Sequence, residues 1–201
     1  MSYSDFTLEK IQQSFALKMV EDQDLFSSIL EIEISNILKQ NLELKVPLAL
    51  AINTEKARSE FIIAEVLVEL KRILNGKISL FSGINLDVDK EKGLNGYCDF
   101  IVSQSSEQFF LKAPIITIVE AKNENIPSGI GQCIAEMIAA RLFNEQAAQP
   151  IERLYGAVTI GNIWKFLKYE QGAVYIDQQE YHISQVNKIV GILVAMATET
   201  A

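Results

Sequence analysis

Two hydrophobic rhythms divide the chain, and the places where one gives way to the other mark its elements. From about 55 to 74 the apolar residues Phe61, Ile62, Val66, Leu70 and Ile73 recur at helical spacing. Thr54 stands where an N-cap belongs, Glu55 falls in the first turn, and Asn75-Gly76 ends the run. The period then shortens to two. Ile78, Leu80 and Phe81 open a strand that runs to Val88, followed by the charged turn Asp89-Lys90-Glu91-Lys92-Gly93 and the turn pair Asn95-Gly96. Residues 97–103 read as the next strand. The β-branched run Ile115-Ile116-Thr117-Ile118-Val119, carried on by Glu120-Ala121-Lys122, suits a central strand covered on both faces.

Helical spacing returns after Pro127 or Ser128 and continues through Ile134, Met137, Ile138, Leu142 and Phe143. Strands over 154–160 and 164–169 follow, joined by the tight-turn pair Gly161-Asn162, and 173–176 extends the sheet. An apolar helix closes the chain over 184–199, as core or as a contact between copies. The first fifty residues read as a mainly helical N-terminal extension. There Asp24 caps a run from Leu25 to Leu30, and apolar residues continue through Ile34, Ile37 and Leu38. No repeat, low-complexity tract or Pro/Gly-rich linker interrupts this order, so residues 1–201 are expected to form a single domain. The predicted class is α/β, a mixed sheet packed between helices.

Composition narrows the chemistry. A hydrophobic share of 49% and a charged share of 22% are those of an ordinary globular domain. No apolar stretch approaches the roughly 18–20 residues of a membrane span. The opening Met-Ser-Tyr-Ser-Asp-Phe lacks the basic-then-apolar pattern of a signal peptide, so the expected location is cytoplasmic, with no membrane partner. Cys98 and Cys133 form no CxxC pair and read as small buried residues, and His182 is the only histidine. Histidine-based triads and imidazole-bound zinc are thereby disfavoured. With 18 basic against 26 acidic residues the net charge is −8, the wrong sign for a free nucleic-acid binder. Binding to DNA would need a local basic patch, a second subunit or a partner protein.

One group of residues carries candidate chemistry. Asp99 heads the apolar run Phe100-Ile101-Val102, and Glu120 and Lys122, two apart, project from one face at the end of the next strand. Facing carboxylates need a cation, and their hard oxygens suit Mg²⁺ or Mn²⁺. A lysine beside them can orient a water or stabilise charge on a phosphate. A lone E-x-K also fits a solvated ion pair at a sheet edge. Here the charges end a buried strand, and the helix over 55–74 brings further carboxylates such as Glu60. Gly129-Ile130-Gly131 is too short for a phosphate loop and reads as a helix entry. Trp164, Phe166 and Tyr169, alternating with Lys165 and Lys168, fit a half-buried edge strand better than a base-stacking platform.

The order Glu60, then Asp99 within Gly96-Tyr97-Cys98-Asp99-Phe100-Ile101-Val102, then Val119-Glu120-Ala121-Lys122 and a helix, resembles the PD-(D/E)XK nuclease-like superfamily. That pattern is an acidic helix residue, a strand Asp, and (D/E)-x-K on the next strand. Cys98 stands where proline often precedes the aspartate. The resemblance implies a restriction endonuclease-like core over 55–170. It also implies that Asp99, Glu120 and the backbone carbonyl of Ala121 bind Mg²⁺ (or Mn²⁺), while Lys122 supports the attacking water or the transition state. Glu60 is similar to the helix acid some members use, with Glu65 as its alternative. Gln132 sits where some members place a polar active-site residue, or else faces solvent. The implied activity is metal-dependent hydrolysis of phosphodiester bonds, in DNA, by a homodimer or a partner-protein complex. The alternative is a nuclease-like module that binds or assembles without cutting.

Overall fold

Thr7 and Ser35 each accept the backbone N–H three residues ahead, which starts α1 (Leu8–Phe15) and α2 (Asn36–Ile52), with the short strand β1 (Lys18–Val20) between them. The computed structural model describes residues 1–199. Thr54 repeats the device for α3 (Glu55–Arg58), accepting from the Ala57 N–H. The helix then passes through one π-helical turn, Ser59–Ile63, into α4 (Ala64–Ile73). Asn75 and Gly76, at φ 52° and 70°, end it in the left-handed region. The remaining elements are β2 (Ser79–Asn85), β3 (Tyr97–Ser103), β4 (Ile115–Ala121), α5 (Ile126–Gln146), β5 (Arg153–Thr159), β6 (Ile163–Glu170), β7 (Ala173–Ile176), β8 (Tyr181–His182) and α6 (Val186–Thr198).

These strands make one mixed sheet in the order β1-β7-β6-β5-β4-β3-β2, with β8 paired to β6. Strands β2, β3 and β4 form an antiparallel meander, and α5 carries the chain across to β5, which runs parallel to β4. Helices cover both faces. Leu38 of α2, Val66 and Leu70 of α4, and Ile189 and Leu193 of α6 pack on Phe100, Ile116, Trp164 and Phe166. On the other face Ile11 of α1 and Cys133, Ile134 and Met137 of α5 pack on Ile101, Ile118 and Val158. The fold is α/β, an eight-stranded mixed sheet flanked by helices, as the alternating pattern implies.

Three local expectations change. Asp24 caps a turn rather than a helix: its Oδ1 accepts from Ser27 N, while Leu25 N donates to Asp177 Oδ1 and Ile32 N donates to the Asn187 carbonyl. Ile29 N donates back to the Phe26 carbonyl, so the chain closes a single turn there and does not go on into a helix. The region before α2 also supplies a strand, β1, aligned in parallel with β7. Trp164, Phe166 and Tyr169 are all buried, because β6 lies between β5 and β7 and not at an edge. Phe166 sits 5.8 Å from the Phe26 ring and 5.6 Å from the Tyr181 ring, in an aromatic cluster closed to bases. The apolar face of α6 is core. No helix among the described residues is long and apolar enough to cross a membrane.

Candidate functional site

The site arises where β3 begins and β4 ends. Antiparallel register aligns Phe100 with Val119, which sets Asp99 opposite Glu120 on the next pair. Along β4 the side chains alternate: Val119 and Ala121 enter the core beneath α4 and α6, while Ile118 faces α5. Glu120 therefore lies on the α5 side with Lys122 beyond it. Asp99 Oδ2 accepts the Ala121 backbone N–H at 2.8 Å, which locks the two strand ends together. Lys122 Nζ lies 2.5 Å from Glu120 Oε1 and donates to Gln132 Oε1 at 3.0 Å. Gln132 Nε2 in turn donates to Glu136 Oε1 at 3.0 Å. Asp99, Glu120, Lys122 and Gln132 are thus brought together, and α5 adds a residue the motif pattern did not single out, Glu136.

Close packing explains the Gly129-Ile130-Gly131 helix entry. A Cβ on Gly129 would lie 2.7 Å from Val158 Cγ1 and 2.9 Å from Lys122 Cγ, so glycine leaves the space in which the lysine stem lies. A Cβ on Gly131 would lie 2.5 Å from the Thr7 carbonyl carbon, so the chain entering α1 rests directly on α5. The loop after Lys122 is fastened from the opposite side. Asn53 Nδ2 donates to Glu124 Oε1 at 3.1 Å, and Arg58 holds both the Asn53 side chain and the Ile160 carbonyl.

Burial dominates the electrostatics. Glu120 is 1% exposed and Glu136 0%, and one oxygen of each, Oε2, has no amide, hydroxyl or ammonium donor among the described residues, while the two carboxyls lie against each other. Desolvation, joined by repulsion from Asp99, raises the Glu120 carboxyl to about 8, although Lys122 draws it back. Desolvation and the charge of Glu120 push Glu136 well above the ordinary carboxylate range. Burial alone would lower Lys122, but attraction and hydrogen bonding to Glu120 leave it raised overall. Burial and the neighbouring carboxylates also push both cysteine thiols upward, so neither is a reactive thiolate.

The helix acids fall differently from the motif order. Glu60 lies on the surface in an ion pair with Lys56 at 3.3 Å, and Glu65 is held by Lys45 and Asn41 on α2. Glu55, in the first turn of α3, is the carboxyl that senses the site: burial raises it, Lys122 lowers it and Asp99 raises it. Glu55 and Glu60 are five residues apart, a spacing that sets them on different faces of an α-helix. Glu136 did carry a signal in the sequence, as a lone acid within the apolar stretch from Cys133 to Ala140.

Such a cluster can share a proton between buried carboxyls or bind a hard cation through oxygen. Among the described residues, no three Asp, Glu, His or Cys side chains are already arranged as a cation-binding group, and the positive charge facing Glu120 is the Lys122 ammonium. No family model matches the chain, and no curated protein matches it.

Proposed function

We propose that the chain is a metal-dependent nuclease of the PD-(D/E)XK nuclease-like type, hydrolysing phosphodiester bonds in DNA. The observation that carries this reading is the buried, unpartnered Glu120 Oε2 beside Asp99 and Lys122 at the end of an interior strand. A buried carboxylate oxygen without a donor is costly unless it gains a proton or a cation. The succession of helix, antiparallel β2-β3-β4, crossover α5 and parallel β5 supports a restriction endonuclease-like core over 55–170.

Asp99, Glu120 and the Ala121 carbonyl would hold Mg²⁺ (or Mn²⁺), since all three offer the hard oxygen donors these ions prefer. When bound, the ion supplies Lewis acidity and lowers the pKa of a bound water. Asp99 fixes the geometry by gripping the Ala121 N–H. Lys122 stabilises negative charge developing on the phosphate, and Gln132 holds the ammonium in place. Glu55 takes the helix-acid position expected of Glu60. With a net charge of −8, the DNA-facing basic surface falls to a second copy or a partner protein.

A second reading, a nuclease-like binding or assembly module, draws on one observation. Lys122, Glu120, Gln132 and Glu136 already bond to one another in a connected network that includes its own cation.

Thermal unfolding separates the two readings. Wild type and Glu120→Ala are compared in EDTA and in millimolar Mg²⁺ or Mn²⁺. A cation-dependent rise in wild type alone, worth ~2.7 kcal/mol at a hundredfold excess over Kd, supports the nuclease reading. Metal-dependent cleavage of DNA should then vanish in both Asp99→Ala and Glu120→Ala. No rise in either protein favours the binding module, and cleavage that survives both substitutions overturns the site.

A further inference from the structure

Three residues on one stripe of α5 converge on the lysine. Gly129 vacates the space for its stem, Gln132 accepts from its ammonium, and Glu136 accepts from the Gln132 amide. Their spacing of three and then four residues is that of a single helix face. Glu136 is fully buried beside Cys98 and Cys133, where an uncharged side chain would be far cheaper. Among the described residues no basic side chain pairs with it; the Glu120 carboxyl lies against it, and the Gln132 amide donates to it. That bond has a directional consequence. With Nε2 committed to Glu136, the Gln132 amide can present only Oε1 to Lys122, and an ammonium, which has no acceptor, needs that oxygen.

We propose that Glu136 is a positioning residue: through Gln132 it fixes where the Lys122 ammonium sits relative to Glu120. The inference rests on the nuclease reading for its functional meaning, while the geometry it describes stands apart from that reading. The Glu136 carboxyl also lies against that of Glu120. It acts on the amide that holds the lysine, as outer-shell partners hold the groups that do the chemistry.

Two variants of similar volume test it. Glu136→Gln keeps a carbonyl that can accept from Gln132 Nε2, whereas Glu136→Met fills the space without an acceptor. Thermal unfolding first establishes that both fold, and the methionine variant should be at least as stable as wild type because it removes a buried acid. Crystal structures then read the Gln132 Oε1 to Lys122 Nζ distance, which is 3.0 Å in wild type. It should persist in Glu136→Gln and be lost in Glu136→Met. With Mg²⁺ and DNA, kcat should fall roughly 10- to 100-fold in Glu136→Met, with KM unchanged and near-complete rescue in Glu136→Gln. An unmoved lysine, or full activity, in Glu136→Met overturns the proposal. If wild type itself fails to cleave DNA, the nuclease reading falls, and the crystallographic distances alone decide the positioning role.

Discussion

Glu69 and Glu120 are both buried, at 4% and 1% exposure, yet their carboxyls move in opposite directions. Glu69 is lowered to about 2 and Glu120 raised to about 8. Glu69, on α4, accepts from Arg72 Nε and Nη2 and from the backbone N–H and hydroxyl of Ser35, the residue that caps α2. Each of its oxygens has two donors. Glu120 has the Lys122 ammonium on one oxygen, no amide, hydroxyl or ammonium donor on the other among the described residues, and the carboxyls of Asp99 and Glu136 nearby. Burial penalises both charges, so the supply of donors decides the sign. A satisfied buried carboxylate staples two helices. An unsatisfied one is a site waiting for a charge.

The comparison breaks most severely at the staple. Glu69→Ala leaves the Ser35 N–H and hydroxyl without their acceptor, while Arg72 returns to solvent, and should cost about 3 kcal/mol, read by urea denaturation. For a chain of this size that lowers Tm by roughly 6–12 °C.

The two carboxyls should also give opposite pH dependences, each worth about 1–3 kcal/mol. The contribution of Glu69, whose pKa is depressed, is present above its ordinary 4.5 and is lost as pH falls toward 2. Glu120 has a raised pKa, so the folded protein holds its proton more tightly than the unfolded chain. Its contribution is fullest below 4.5 and is lost as pH rises through about 8. The Tm of Glu120→Gln relative to wild type should therefore climb between pH 5 and pH 9, measured by thermal unfolding across that range. A flat difference would remove the buried-acid account of Glu120.

The smallest effect sharpens the site end. Gly129→Ala forces a methyl against Val158 and the Lys122 stem and should cost about 1 kcal/mol in chemical denaturation. Gly76→Ala has open space around its Cβ, and its cost comes from backbone conformation alone.

The regions legible in the sequence are those where local pattern and tertiary environment agree. The unbroken apolar run before Glu120 can only be an interior strand, and Thr54 and Asn75-Gly76 bracket their helix by chemistry that acts within a few residues. Asp99 and Glu120 were legible for the same reason, since an antiparallel meander aligns the start of one strand with the end of the next. Residues 24–34 carry helical apolar spacing, but the segment is tied down at Leu25 by Asp177 and at Ile32 by Asn187, long-range bonds that spacing cannot show. The family pattern offers Glu60, with Glu65 as its alternative, and hydrophobic spacing cannot show that Glu55 is the helix carboxyl whose charge is coupled to Lys122 and Asp99. The aromatic residues of β6 looked like edge residues because alternating lysines imply solvent. Lys165 and Lys168 instead reach the Gln178 carbonyl and Glu170 from a strand whose aromatic faces are covered.

The parallel pairing of β1 with β7 sets Lys18 against Ala173, nearly the full length of the chain away. The meander β2-β3-β4 and its crossover can assemble from contacts made in order of synthesis, carrying Asp99 and Glu120 into register early. Closure of the far edge must wait for residues past 170. The near half of the sheet, which carries the carboxylate pair, therefore rests on short-range pairings, and the far edge on a pairing whose long loop must close first.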